Sequence, residues 1–540
     1  MKKALMLLSL FVMKISCVLA QPFDRQDSLR GGNGMGRYWW DVQHYDLKVD
    51  FNLEEKDIYG QNTIRLKITD APHDSLQLDL QTPMFLDKVI LEGQELRSAK
   101  EGNVWWVLYP FSQLKMGEEI ELEVYYHGKP REAKNPPWDG GFIWTRDSTG
   151  KPWIAVACQG LGASAWWPCK DDQRDEPDAG MRITLSGAGD LAVISNGLPA
   201  DGRLLPRGEG TWLVKNPINN YNLSFYIGNY IGWQDTLMGE KGLLPLSFYA
   251  LDDHLAQAKK QFAVVKPMLH CLEHWMGPYP FYEDGYKLIE APYLGMEHQS
   301  AIAYGNGYQM GYAGRDRSNT GVGLEFDFII IHESAHEWFG NNITAKEVAD
   351  SWIHEGFTSY AENLFVECLL GKEKALTYHH GLQTLITNEK PVIGTYGVQQ
   401  EGSDMYEKGR AVIQMIRTMM QDDEAFRQLL RGLNQTFYHQ TVTSAQVEDF
   451  ITEKTGLPLK PFFDQYLRQA NLPTLEYANK GRDLYLRLSY CLPGLELVLP
   501  LKNGKEILTT DWLKIPHKKK AETWQLLDNF LLERKEVKGP

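Results

Sequence analysis

The feature that most constrains this chain is the pentapeptide His332-Glu333-Ser334-Ala335-His336, which follows a mostly apolar run over 326–331. Residues four apart share one face of an α-helix, so both imidazoles can reach one Zn²⁺ at about 2.0–2.1 Å while Glu333 projects beside the ion. The competing interpretation is a solvated helix face with two ordinary histidines. A third ligand at the right place decides between the two.

That third ligand is predicted from the next helical segment, Trp352 to Leu370, because a catalytic zinc needs three protein ligands and an open fourth position. Glu355 lies in its first turn, where a helix–loop–helix return brings the carboxylate back to the metal. His354 is a competing ligand, but it points about 100° away from Glu355 around the helix axis. Glu362, two turns later, is either a surface charge or the acceptor for the outer N–H of a zinc histidine.

A second zinc signature competes with the first. His270-Cys271-Leu272-Glu273-His274 matches the inverted pattern HxxEH on another predicted helix. The chain then enters a helix stop at Gly277-Pro278, and no later helix offers a glutamate that is not better used elsewhere. We therefore expect these to be polar residues of a helix end.

Composition and charge exclude several classes of function. The 540 residues are 43% hydrophobic and 23% charged, which is typical of several globular domains and not of a single small binding module. The formal net charge of −14, without a Lys/Arg-rich run, argues against a nucleic-acid partner. No segment is long and apolar enough to predict a transmembrane span.

The first twenty residues are typical of a secretory signal. A positive start at Lys2 and Lys3 precedes an apolar stretch over 4–13 and a small-residue cleavage site, Val18-Leu19-Ala20. A lipoprotein signal acylated on Cys17 is the second alternative, because Lys14-Ile15-Ser16 fits such a signal poorly. We expect an exported protein, periplasmic or secreted, and removal of the signal with its three lysines gives a net charge of −17.

Cysteine usage does not predict a disulfide scaffold. Beyond Cys17 the chain holds an odd number of cysteines without CxxC spacing, at 158, 169, 271, 368 and 491. One bridge remains open, with Cys158 and Cys169 as the candidate pair.

Hydrophobic periodicity predicts a multidomain α+β chain. Apolar side chains alternate from Tyr45 to Leu53 and again from Ile120 to Tyr126, as in half-buried strands, so residues 21–235 are predicted as an N-terminal β domain. Residues 236–473 are mainly helical and contain the metal motif, including a helix that ends near Gly340 and another over 408–420. Alternation returns after Pro473, which predicts a small C-terminal β domain over 474–540.

These motifs together resemble the zinc aminopeptidases of the aminopeptidase N family, gluzincins that include leukotriene hydrolase. The similarity extends over most of the mature chain. It rests on the zinc signature His332 to Asn341 with Trp352 to Phe357, on Tyr406-Glu407-Lys408-Gly409, on Leu294-Gly295-Met296-Glu297-His298, and on Ile194 to Gly197 and Trp167 to Cys169 in the β domain.

The resemblance implies a thermolysin-like catalytic domain, one Zn²⁺ bound by His332, His336 and Glu355, and peptide substrates with a free N-terminus. It implies Glu333 as the general base, Tyr406 as the donor to the oxyanion, and Glu297 as the carboxylate that captures the α-ammonium. The remaining substrate-binding residues implied by the resemblance are Gln159, Gly295 and Met296.

The chain departs from the family pattern at His298, His354 and Glu337, where the family usually has Asn, Asn and Gln. The short stretch after Pro473 predicts a short form without the large C-terminal helical domain, and hence a more open active-site rim. Two alternative functions remain: epoxide hydrolysis in the manner of leukotriene hydrolase, which would need a long apolar channel, and a non-catalytic peptide-binding protein, which would need neither Glu333 nor Tyr406. The oligomeric state and the preferred first residue are not predicted.

Overall fold

The computed structural model describes residues 23–502 and 504–540. The predicted signal over residues 1–20, with Cys17, lies outside the described residues. The multidomain α+β class is confirmed: a β-rich N-terminal part leads into a helical part and then into C-terminal strands. Within the described residues, no helix combines the length and the apolar character that crossing a bilayer requires.

The N-terminal part begins with helix α1 (Arg25–Gly31), capped by the side chain of Asp24. Its strands are β1 (Trp40–Asn52), β2 (Asp57–Ile68), β3 (Ser75–Asp79), β4 (Phe85–Leu91), β5 (Gln94–Glu101), β6 (Val104–Leu108), β7 (Glu119–Gly128), β8 (Gly141–Arg146), β9 (Pro152–Ala157), β10 (Met181–Ser186), β11 (Ala192–Ser195), β12 (Leu198–Pro199), β13 (Gly210–Val214) and β14 (Phe225–Gly228). In the described chain they form a ten-stranded sheet, ordered β12-β13-β10-β1-β2-β7-β4-β5-β6-β3, and a four-stranded sheet, ordered β11-β14-β9-β8.

Strand β1 confirms the alternation of apolar residues that predicted it. Tyr45, Leu47, Val49 and Phe51 are buried in turn, while the residues between them are more exposed. A register shift between Val42 and His44 resets the pattern at the start of the strand, because a bulge places one extra residue on one side of the ladder.

The central part combines a five-stranded sheet and a separate two-stranded sheet with a set of packed helices. Its strands are β15 (Tyr230–Gly239), β16 (Gly242–Leu251), β17 (Tyr286–Glu290), β18 (Gly295–Met296), β19 (Ile302–Tyr304), β20 (Ile343–Ala345) and β21 (Gln440–Val442). Its helices are α2 (Leu255–Gln261), α3 (Val265–Met276), α4 (Phe328–Ala335), α5 (Trp352–Leu370), α6 (Lys372–Gln383), α7 (Glu407–Met420), α8 (Asp423–Thr436), α9 (Ser444–Thr455) and α10 (Lys460–Arg468). Helix α5 packs against α3, α4, α6 and α7.

The C-terminal part consists of β22 (Thr474–Lys480), β23 (Asp483–Ser489), β24 (Leu497–Leu501), β25 (Gly504–Leu508), β26 (Leu513–Ile515), helix α11 (Lys520–Leu527) and β27 (Glu533–Glu536). Its buried leucines belong to the same hydrophobic core as the catalytic helices. A second core fills the N-terminal part and extends to Ile289, Met296 and Ala303 of the catalytic sheet. The β17–β19 region is therefore held between the two cores.

The cysteine prediction needs a correction. Cys158 and Cys169 are both free and buried, and the disulfide joins Cys271 to Cys368. This bridge ties α3 to the C-terminal end of α5, and its two cysteines lie 97 residues apart along the chain. No local spacing rule connects residues so distant in sequence, whereas the packing of the two helices brings them together.

Candidate metal centre

Helix α4 is fixed at its start by Asp327, whose carboxylate accepts hydrogen bonds from the backbone N–H groups of Ile329 and Ile330. Every residue of α4 is buried. The predicted helix ends earlier than expected, at Ala335 rather than near Gly340, and tighter turns follow it, in which the backbone N–H groups of Glu337 and Trp338 donate to the carbonyl oxygens of Ser334 and Ala335. His336 keeps helical dihedral angles as the C-terminal cap, so it remains on the same face as His332.

The structure brings the three predicted ligands together. Nε2 of His332 and Nε2 of His336 are 3.3 Å apart, and Oε2 of Glu355 lies 3.5 Å from the first and 3.4 Å from the second. Donors that surround a tetrahedral zinc ion at about 2.0–2.1 Å lie about 3.3–3.4 Å from one another. Oε2 of Glu355 is buried without a hydrogen-bond donor, which fits an oxygen aimed at a cation. The donor set therefore fits Zn²⁺ in type, number and spacing.

The outer nitrogens of both imidazoles are also engaged. Nδ1 of His332 lies 2.8 Å from Oε1 of Glu362, which is buried rather than a surface charge. Tyr378 donates to the other oxygen of Glu362 at 2.8 Å. Nδ1 of His336 is 3.0 Å from the carbonyl oxygen of Phe339. Such contacts fix the tautomer in which Nε2 faces the metal.

Glu333 lies beside the three donors, buried and without a hydrogen bond to the described protein. Burial raises the pKa of its carboxyl, whereas the imidazoles of His332 and His336 oppose that shift. Gly295 leaves it room: a Cβ at that position would lie 2.6 Å from Oε1 of Glu333. The backbone of β18 therefore passes directly over the predicted base.

Glu297 follows β18 and is held from the N-terminal part. Its Oε1 accepts a hydrogen bond from Gln159 at 2.8 Å and one from Tyr221 at 3.1 Å. Gln159 also donates to Oε1 of Glu355 at 3.2 Å, so one amide joins the two carboxylates. One ligand atom each from Glu297, Glu333 and His336 lie within 4.8 Å of one another. Glu297 thus lies on the His336 side of the centre.

Tyr406 immediately precedes α7, and its ring lies 6.0 Å from the imidazole of His332. Burial, reinforced by the charge of Glu355, raises the pKa of its phenol well above the usual value, so it remains a hydrogen-bond donor. Its position depends on two glycines at the α5–α7 contact: a Cβ on Gly356 would lie 3.0 Å from Cα of Gly409. No larger residue fits between the two helices at that point.

A cavity of about 900 Å³ joins these residues to solvent. It is lined by all three predicted ligands and by Glu333, Tyr406, Glu297, Gln159, Gly295 and Met296. Every predicted site residue therefore borders one space. At its far side Arg317 pairs with Glu407 and lies 5.4 Å from the ring of Phe328, which stacks at 5.1 Å on His332.

The competing residues have other roles. Nε2 of His354 accepts the backbone N–H of Ala345 at 2.7 Å, so it is not available to a metal. His298 is buried against the hydroxyl of Tyr226, and burial lowers its pKa to about 3, which keeps it neutral. Glu337 accepts hydrogen bonds from the hydroxyl of Tyr279 and from the backbone N–H of Ser300. The second bond holds the segment that follows Glu297.

Sequence reasoning missed two residues of the site. Tyr221 bonds to Glu297 from 76 residues away and had no motif to mark it. Asn341 donates to the backbone oxygen of Glu297 at 2.8 Å. Asn341 ends the zinc signature, so its place in that motif was a signal that could have been used.

The comparisons with known proteins agree with this geometry. Residues 261–466 match the family described as the peptidase family M1 domain. Residues 261–466 form a peptidase family M1 domain. The matched residues include the predicted ligands and Tyr406, so the resemblance predicted from the sequence is confirmed for this domain.

Relatives extend the similarity beyond the M1 domain. The chain is 24% identical over 447 residues to leukotriene A-4 hydrolase of Xenopus laevis, covering 76% of this chain and 68% of that protein. It is 23% identical over 484 residues to aminopeptidase N of Lactobacillus helveticus, covering 83% of this chain and 53% of that one. The chain thus spans only part of the length of the curated relatives it matches.

An M1 zinc metallopeptidase from Deinococcus radiodurans has the same fold along nearly its whole length. The TM-score is 0.68 at 21% sequence identity, with 82% of this chain and 96% of that chain covered. Most of this chain therefore adopts a fold that this solved structure shares.

Proposed function

We propose that this protein is a zinc-dependent aminopeptidase, which removes the N-terminal residue from peptides with Glu333 as general base. The observation that carries the proposal is the position of Glu297 beside the predicted metal centre. In a peptide the α-nitrogen lies about 2.5 Å from the carbonyl carbon of its own residue. An ammonium paired with Glu297, within 4.8 Å of His336 and Glu333, would therefore place the first peptide bond at the metal and no later one.

A bound zinc ion would supply Lewis-acid chemistry, which polarises the scissile carbonyl and lowers the pKa of water towards about 7. Glu333 accepts the proton of the attacking water and later delivers it to the leaving amine. Tyr406 donates its phenolic O–H to the oxyanion that develops on the carbonyl, a contribution of about 2.7–4 kcal/mol for such donors. Glu297 and Gln159 hold the ammonium, and an internal peptide segment would leave that buried carboxylate unpaired.

The lining of the site favours this function over the two alternatives. Epoxide hydrolysis of a lipid needs a long apolar channel, whereas the recess next to Glu297 holds only about 30 Å³ and is bordered mainly by polar side chains such as Gln159 and Tyr221. The main cavity is lined by charged side chains, among them Arg317 and Glu401, as well as by apolar ones. A peptide-binding protein without activity would not require glycine at 295 to leave room for a buried Glu333.

The decisive experiment measures release of free amino acids from aminoacyl-anilides, with and without a chelator. We expect hydrolysis that the chelator abolishes and zinc restores. N-acetylated substrates serve as the control and should be resistant. Equal turnover of acetylated and free-amine substrates would refute the role of Glu297, and inactivity of the zinc-loaded protein on every substrate would refute the function.

We also propose that the protein is exported. The support is the signal-like sequence over residues 1–20 together with the Cys271–Cys368 disulfide, a bond typical of oxidising compartments. N-terminal sequencing of the protein recovered from a fractionated native cell tests this. A chain that begins at Gln21 in the periplasm or medium is expected, and an uncleaved cytoplasmic chain would contradict it.

A further inference from the structure

The site extends into a small recess on the Glu297 side. This recess of about 30 Å³ opens from the main cavity, and the two spaces share Gln159, Gly160, Val348, Gln399 and Glu401 as walls. Its remaining lining includes Tyr221, whose hydroxyl bonds to Glu297. A side chain that leaves the Cα next to an ammonium at Glu297 therefore has this recess within its reach.

The volume of the recess limits what it can hold. One water-sized probe occupies about 10–15 Å³, so the recess has room for the last two or three heavy atoms of a side chain and not for an aromatic ring. Its walls are polar apart from Val348, Cys158 and two glycines. A small polar head group carried on a flexible stem fits both properties.

The charge of the recess is negative. Glu401 lines both spaces and makes neither an ion pair nor a hydrogen bond with its side chain among the described residues, and Asp171 lies at the far wall. Among the residues that the structure describes, no lysine or arginine borders the recess. His354 accepts a backbone N–H there and is neutral. In the main cavity Arg317 lies on the His332 side, against the ring of Phe328, and is already paired with Glu407.

Glu401 is held in place by its backbone. Gly394 packs against the carbonyl oxygen of Gln400, the residue before Glu401, and Gly402, the residue after it, packs against the carbonyl oxygen of Val392. A Cβ on either glycine would lie 2.0 Å from the carbonyl oxygen that it contacts. The N–H of Gly394 donates to the carbonyl of Ala349, next to the recess wall at Val348. The carboxylate therefore projects from a fixed loop into the space beside Glu297.

From these observations we infer that the enzyme is selective for peptides whose first residue is basic, lysine or arginine, and that Glu401 receives the side-chain cation. The inference rests on the proposed aminopeptidase function, because it takes the position of the first residue from the ammonium at Glu297. Glu401 is a specificity-determining residue that contacts the substrate side chain and takes no part in the proton transfers.

Neutral isosteres test the inference. With coumarin amides of lysine and norleucine, and of arginine and citrulline, each pair differs in charge with a similar stem. We expect kcat/KM of the zinc enzyme to favour the cationic member of each pair by about tenfold or more, since an ionic hydrogen bond contributes roughly ten- to hundredfold in binding. Because Glu401 is solvent-accessible, the preference should decline as salt is raised from 0.05 to about 0.5 M.

Substitution identifies the residue responsible. Glu401→Gln should bring the lysine-to-norleucine ratio close to one, and Glu401→Lys should reverse it. Glu389→Gln removes the same charge from an exposed position on the same loop that does not border the cavity, and should leave the ratio unchanged. A wild-type ratio near one, or a ratio that survives Glu401→Gln, would overturn the inference while leaving the aminopeptidase function intact. Failure to hydrolyse any amide in the panel would instead count against the proposed function.

Discussion

Helices α3 and α4 each carry two histidines and a glutamate, in mirrored order. Of the two helices, α4 has its histidines beside a third metal ligand. On α3, His270 and His274 face solvent, while Glu273 is buried and accepts hydrogen bonds from the backbone of Tyr279 and the hydroxyl of Tyr282. On α4 both histidines are buried and face Glu355 of α5. A pentapeptide can offer two ligands, but the third ligand and the acceptors behind the imidazoles must come from a neighbouring helix.

The largest difference between the two motifs is expected in the zinc content of their histidine variants. His332→Ala should purify without zinc and without peptidase activity, because two donors cannot hold the ion as three do. His270→Ala, which changes an exposed imidazole, should keep one zinc per chain. Elemental analysis of both variants after dialysis measures this, and zinc lost only from the α3 variant would transfer the site to the other motif.

Substitution of the two glutamates should affect different properties, kcat for Glu333 and thermal stability for Glu273. Glu333→Gln is expected to retain zinc and lower kcat by about 10²–10⁴-fold, since a positioned general base contributes that much. Glu273→Gln should preserve kcat and lower the melting temperature, because a neutral amide replaces a buried carboxylate that accepts hydrogen bonds in a turn. Parallel zinc analysis, steady-state kinetics and calorimetry separate the two effects. Normal turnover in the Glu333 variant would remove the base assignment.

The contact of Glu362 with the outer nitrogen of His332 can be tested by substitution. Glu362→Ala should weaken zinc binding by about 10–100-fold, because Nδ1 of His332 loses the carboxylate that orients the ring. Competition with a chromophoric chelator measures the affinity directly. Glu373→Ala, an exposed carboxylate on α6, is the matched control, and equal affinities for the two variants would show that Glu362 is not needed.

The smallest effect is expected at the link between α3 and α5. Replacing Cys271 and Cys368 together by alanine removes a bridge that closes a loop of 97 residues. In the chain-entropy description this costs at most about 4–5 kcal/mol of stability. We expect a lower melting temperature with unchanged zinc content in calorimetry and elemental analysis. Loss of zinc from this variant would mean that α3 helps to hold the metal centre after all.

Local patterns predicted more of this molecule than distant contacts did. The bounds of α5 follow from its apolar spacing, and the pairing of His332 with His336 follows from the helical repeat. The alternation in β1 and β23 predicted strands because each buries one face. These features depend on residues a few positions apart, which a sequence displays directly.

Features that depend on tertiary packing were not predicted. The disulfide partner of Cys271 and the contact of Tyr221 with Glu297 join residues that are 97 and 76 positions apart. Glu401 belongs to no motif, and its role follows from two close backbone approaches that place it beside Gln159. The early end of α4 coincides with the tighter turns at Glu337 and Trp338, which the apolar run before the helix does not reveal.

The contact between Gly356 and Gly409 has a consequence for the evolution of this enzyme. Because two main chains touch there, the backbones that carry Glu355 and Tyr406 are held at close range by a contact in which no side chain takes part. Substrate preference can therefore change through substitutions at Glu401 and its neighbours on that loop, away from Tyr406, while the contact between the two helices is kept. Libraries aimed at new selectivity should randomise that loop and leave both glycines untouched.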